Sequence, residues 1–401
     1  MPGPQTKYEA VLHAARDVIK LGCALDAEML GTALLGSVYA VAPGDRAAAV
    51  REFVGQFLTE TDQRVEPATT TIRDVFATLV PDAPGAAGVG HDALAPSWVT
   101  QLGRVRPTGC FAYGDVYGDQ TSYLVTYAYE EQSDGGPEHA VVALVDHNVG
   151  IVKDVFVAAS AERILSQVRG MCANDELTWF RDEDPGRLRD EVDRHLQITD
   201  DLGDLPADGS LATDRALATA RLALLPRPST PPLTEPAGPS ETSLTRDFLA
   251  SPEAIGNGLA DPDTDTASLQ FCISLLLDHA ETLPGGDPLR WSPTVAGFFL
   301  LDWVHRRAVL DMDDAAMLPR VVRAWSAYAT RRRGLPEAAI TETDEVIEDL
   351  IPEFARLYTT GERRSPATAA VAQLIAEGVD PNDTDAIDAW IEAHRDTPDT
   401  D

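Results

Sequence analysis

Lysine is nearly absent from this 401-residue chain: Lys7, Lys20 and Lys153 stand against 29 arginines. Positive charge is scarce in general, with 32 basic residues against 65 acidic ones and a formal charge of −33. Such a field repels phosphate backbones and anionic lipid, and no long segment of the chain is net basic, so neither nucleic acid nor a membrane surface is an expected partner. Cysteine is sparse too. Cys23, Cys110, Cys172 and Cys272 form no Cys-x-x-Cys pair, which excludes a disulfide framework and a cysteine zinc site. Reduced, mostly buried thiols fit a cytoplasmic protein. The opening "MPGPQTKYEA" lacks a basic region followed by an apolar stretch, so no secretory leader is expected. The longest apolar run, around 295–304, contains Asp302 and falls short of the roughly 20 residues that span a bilayer.

Catalytic signatures are missing as well. There is no Gly-x-Ser-x-Gly elbow, no His-Glu-x-x-His and no phosphate loop ending in Gly-Lys-Ser/Thr. "DPDTD" (261–265) imitates the start of a calcium loop, but Thr266 and Cys272 occupy the positions that need glycine and glutamate, so helix capping is the better account. No cofactor is expected.

What the chain does have is periodicity. Tyr8, Val11, Leu12, Ala15, Val18 and Ile19 recur at helical spacing, and three further stripes follow up to Val80. Beyond a Gly/Pro/Ala loop (81–96) the period changes. Segments 111–117, 123–129, 140–145 and 151–157 are short, β-branched or aromatic and separated by turn residues, which predicts antiparallel strands paired in chain order. "ELTWF" (176–180) offers one more. Ser160 and Asp184-Pro185 read as helix starts. "PRPSTPPLTEPAGPS" (226–240) holds six prolines and no apolar period, which marks a linker. Helical signals resume after it, with starts at Ser292-Pro293, Pro319 and Ser365-Pro366.

The expected fold is therefore α+β and mostly helical, a central antiparallel sheet of about four strands flanked by N- and C-terminal helical domains. The expected units are a helical bundle (1–80), an α+β domain (95–225), a Pro-rich linker (226–241), a helical domain (242–360), and a terminal helical hairpin with an acidic tail (361–401).

The candidate ligand site lies in the sheet. "CFAYGDVYGD" (110–119) writes Tyr-Gly-Asp twice, and strand parity puts Tyr113, Asp115 and Tyr117 on one face. Tyr123, Tyr127 and Tyr129 share a face of the next strand. Aromatic bodies beside a carboxylate can cradle a small molecule or a peptide, although such a stripe also serves as a core for packed helices. Asp146 and His147 invite a metal-site reading. They point to opposite strand faces unless His147 belongs to the turn, where Asp146 would order the chain. Lys153 interrupts an otherwise apolar strand. Tyr113, Asp115, Tyr117, Tyr127, Asp146, His147 and Lys153 form the candidate ligand-binding set, with no residue assigned to catalysis or to a metal.

"GDVYGD" (114–119), "EHAVVALVDHN" (138–148) and "KDVFV" (153–157), together with "SLATDRALATARL" (210–222) and the tryptophan-bearing helices beyond the linker, resemble an uncharacterised family of actinobacterial proteins. The resemblance implies a bacterial cytosolic setting. No activity attaches to that family, so it carries over no functional residue.

The expected function is a non-catalytic binding or scaffold protein that recognises a protein or a small ligand. The alternative is a metal-assisted enzyme drawing on Asp115, Asp119, Asp146, His147 and His139. A further alternative, DNA binding by a helix-turn-helix over "AQLIAEGVDPNDTDAIDAWI", is opposed by Asp383, Asp385 and Asp388 at the start of its would-be recognition helix.

Overall fold

The four N-terminal stripes fold as helices: α1 (Lys7–Ala14), α2 (Ala24–Val41), α3 (Arg46–Glu60) and α4 (Pro67–Leu79). Asp45 caps α3 by accepting the Ala48 amide hydrogen, and Pro67 opens α4, whose first amide needs no partner. The structure, a computed structural model, describes residues 7–89, 95–206, 209–227, 240–380 and 383–394. Most of the Pro-rich linker (228–239), part of the glycine-containing loop (90–94) and the acidic tail (395–401) lie outside the described residues.

Among the described residues five strands make one sheet: β1 (Val105–Asp115), β2 (Gln120–Tyr129), β3 (His139–Asp146), β4 (Ile151–Ala158) and β5 (Thr178–Asp182). Their order is β4-β3-β2-β1-β5, antiparallel throughout, as hairpin connections dictate. The β2–β3 connection holds one short helix, α5 (Gln132–Gly135). Gly150 (φ +73°) closes the β3–β4 turn. After β4 come α6 (Ala161–Ala173), α7 (Pro185–Asp200) and α8 (Leu211–Leu222), with α6 and α7 capped by Ser160 and Asp184 as the sequence predicts. With 61% helix and one antiparallel sheet, the fold is α+β and mostly helical.

Both sheet faces are covered, which is why β2 and β3 are apolar on both sides. One face carries Ala112, Tyr123, Val125, Tyr127, Val141 and Val145 and packs under residues of α2, α4, α7 and α8. The other carries Leu124, Ala140 and Val142, with Phe111, Tyr113 and Phe156 beside them, under α6. The N-terminal helices thus share one core with the sheet. The expected boundary between a bundle (1–80) and an α+β domain (95–225) is not a boundary between cores, because the stripes of α2 and α4 find their partners on the sheet side. The chain divides instead into two units, 1–234 and 235–401.

The second unit is helical: α9 (Glu241–Leu249), α10 (Pro252–Gly256), α11 (Thr266–Thr282), α12 (Pro293–Phe298), α13 (Val304–Arg307), α14 (Met312–Arg332), α15 (Glu337–Thr360), α16 (Pro366–Ala376) and α17 (Thr384–His394). A π-helical turn over Phe299–Trp303 joins α12 to α13. Asp265 caps α11 by accepting from Ala267 and Ser268, in accord with the capping account of "DPDTD". Pro319 does not start a helix. Asp311 and Asp314 form a reciprocal capping box that starts α14 well upstream and leaves Pro319 inside it.

Among the described residues one helix, Ala24–Val41, is long and apolar enough to cross a membrane by length and composition. Half of it is buried in the core, and it carries the charged Glu28 inward.

Candidate metal centre

α7 presents an amphipathic face to the sheet. Leu188, Val192 and Leu196 are fully or nearly buried at helical spacing, and His195 and Thr199 lie on the same flank. The Thr199 hydroxyl pins the helix to β4, accepting from the Val152 amide at 2.9 Å. Glu191 sits one turn before His195, so the i,i+4 relation sets the two side chains side by side.

His147 arrives from the sheet. On β3 the odd-numbered Val141, Ala143 and Val145 face α7 and its neighbours. The His147 amide donates to the Asp119 carbonyl at 2.8 Å, which carries strand pairing one step past Asp146. His147 therefore keeps the parity of Val145 and meets α7, while Asp146 does not. The His147 and His195 rings stand nearly perpendicular with centroids 5.7 Å apart.

One donor atom each from His147, Glu191 and His195 lie within 4.8 Å of one another. His195 Nδ1 is 2.7 Å from the Glu191 carbonyl oxygen, which only accepts, so Nδ1 carries the hydrogen and Nε2 the lone pair. This is the tautomer-fixing bond that metal-ligating histidines use. His147 Nε2 lies 3.0 Å from the Thr121 hydroxyl, which orients the second ring. Glu191 Oε2 pairs with Arg194, and Oε1 lies 3.7 Å from His195 Nδ1. Two imidazoles and one carboxylate suit zinc and its first-row neighbours. Ligands of a tetrahedral zinc at ~2.0–2.1 Å stand roughly 3.4 Å apart, closer than the 4.8 Å within which one atom from each of these residues falls, so holding an ion requires the side chains to draw together.

The other sheet candidates are spoken for. Asp115 accepts from the amides of Gly118, Asp119 and Gln120 at 2.7–3.0 Å, so its carboxylate organises the β1–β2 turn. Asp146 accepts from the Asn148 amide and from Gln120 Nε2, which makes it a turn residue too. Tyr117 is buried past the end of β1. Tyr113 lies on the α6 face and Tyr127 on the opposite one, because Ala112, not Tyr113, pairs with Tyr123. The tyrosines of the two strands thus do not converge. Tyr127 is fully buried, its hydroxyl without a hydrogen-bond partner among the described residues, and burial pushes its pKa up. Lys153 is the extra residue of a β-bulge, since Leu144 pairs with Asp154 and Val145 with Val152, and it is exposed.

His139 stands at the far end of β3 from His147, about 26 Å at the usual strand rise, so one ion cannot hold both. It belongs to a buried polar knot. Glu28 accepts from Arg221, from the Tyr129 hydroxyl and from the Gly103 amide, and Arg221 Nε donates to His139 Nε2 at 3.1 Å. Burial, with the Arg221 charge adding to it, depresses the His139 pKa to about 3.

Glu191 and His195 fall outside the residues singled out in the sequence. Their signal was the spacing in "EVDRH" (191–195) within a well-capped helix. Comparison with protein-family models, with curated proteins and with solved structures finds no match to this chain.

Proposed function

We propose that the N-terminal unit is a binding unit whose ligand is a divalent transition-metal ion held by His147, Glu191 and His195. The observation that carries this reading is the convergence of two imidazoles and a carboxylate from two separate elements, with the His195 tautomer fixed by a backbone carbonyl. Three protein ligands leave room in a tetrahedral shell for a water or another ligand. The cytoplasmic, bacterial setting belongs to the same proposal, and the four free cysteines support it. The non-catalytic role expected from the sequence stands as part of this reading, with the metal as the small ligand.

DNA binding by α16 and α17 is not proposed. Asp385 lies in the first turn of α17, where a phosphate-contacting helix needs neutral or basic groups.

Isothermal titration of the metal-stripped chain with zinc tests the proposal. One ion per chain is expected, with His147→Ala and His195→Ala each weakening binding by tenfold or more. Full-strength binding in both variants contradicts it.

A further inference from the structure

We propose that a cavity bounded by α3, α4 and α8 binds a small organic anion, an apolar body carrying one phosphate or carboxylate group. The cavity has a volume of about 630 Å³. Its charged lining is Arg51, Arg189, Arg215, Arg221 and Arg227 with a single carboxylate, Asp82. In a chain with twice as many acids as bases, that local reversal singles the cavity out. Val50, Leu79, Val80 and Leu224 supply apolar wall.

Three of the five guanidinium groups are held in place from behind, while Arg51 pairs with Asp82 on the lining itself at 3.0 Å. Arg215 gives Nε and Nη2 to Asp200 and stacks near Tyr39, while Arg221 gives Nε to His139 and Nη2 to Glu28. Arg189 gives Nε to Asp193 and Nη1 to the carbonyls of Ala223 and Leu225. Among the described residues none of these bonds uses Nη1 of Arg215, Nη1 of Arg221 or Nη2 of Arg189. Rigid forks with spare N–H groups on one cavity are the arrangement that recognises phosphate or carboxylate. The partner carboxylates bring the net charge near neutral, so the expected ligand has a small charge.

An independent feature points the same way. The Thr219 hydroxyl, on the cavity lining, is buried with no partner among the described residues. Thr59, Thr78 and Thr343 bond back to a carbonyl four residues earlier, whereas the Thr219 hydroxyl, like those of Thr71 and Thr330, does not, and of these three only Thr219 lines this cavity. Thr219 is left for something in the cavity, since a buried hydroxyl without a partner is unfavourable.

Calorimetric titration of the full chain with octyl phosphate, octanoate and inorganic phosphate at constant ionic strength tests this. At least one amphiphile should bind once per chain and more tightly than inorganic phosphate, and the tighter of the two identifies the head group. The paired variant Arg51→Ala/Arg227→Ala, at one half-buried and one exposed position of the lining and outside the buried ion pairs, should weaken binding about tenfold. Arg356→Ala, in the other unit, should leave it unchanged. Saturation by neither amphiphile, inorganic phosphate binding as tightly as octyl phosphate, or full-strength binding by the paired variant overturns the proposal.

Discussion

Glu28 of α2 and Arg221 of α8 lie 193 positions apart in the chain and form an ion pair from which water is excluded. Tyr129, His139 and the Gly103 amide complete it, so one buried knot ties two helices, two strands and the entry to β1. Removing one member leaves an uncompensated charge in the core, whereas replacing both by apolar groups does not. Glu28→Gln should therefore destabilise the N-terminal unit by about 3–5 kcal/mol in urea unfolding, and Glu28→Leu/Arg221→Met by much less. Equal losses in the two would refute the charge-burial explanation.

Acid should weaken the fold from about pH 6.5 downwards. His139 has its folded pKa depressed to about 3 and His279, buried among Trp291, Phe299 and Trp303, to about 4. Between those values and the ordinary 6.5 the unfolded chain takes up protons that the folded chain refuses. Stability then falls with falling pH by up to about 1.4 kcal/mol per pH unit for each group, and is recovered as pH rises through 6.5.

His279 gives a separable test, because its Nδ1 is buried without a partner among the described residues. His279→Phe removes both that unpaired atom and the titration. The variant should be more stable than the parent, with a larger gain at pH 5 than at pH 8 in thermal unfolding. A gain independent of pH would place the effect in packing alone.

Asp115→Ala should cost about 1–3 kcal/mol, since three turn amides lose their acceptor. Lys153→Ala, at an exposed bulge, should stay within about 0.5 kcal/mol of the parent. Urea midpoints compare them directly. Were Lys153 the more costly change, the assignment of these two residues to turn and surface would fail.

Much of the architecture was legible because it is encoded locally. Ser160, Asp184-Pro185 and Ser365-Pro366 begin helices where side-chain oxygens can reach N-terminal amides, and the sheet follows chain order because its connections are short. Pro319 misled because the stronger start, Asp311 with Asp314, lies upstream. Parity within β1 and β2 was readable, but which faces coincide depends on register, and the pairing of Ala112 with Tyr123 sets Tyr113 and Tyr127 apart. Glu28 with Arg221, and His147 with His195, left no sequence signal as pairs. Each depends on how a helix lands on the sheet, which no local spacing records.

Cobalt(II) titration followed by visible absorption tests the central claim most directly, because the d–d bands report the coordination sphere as well as the stoichiometry. The metal-stripped chain should develop nitrogen- and oxygen-ligated cobalt bands that saturate at one ion per chain, and His195→Ala should abolish them while its circular dichroism stays native. Saturable bands of equal intensity in His195→Ala, or none in the parent, would contradict a metal centre built from His147, Glu191 and His195.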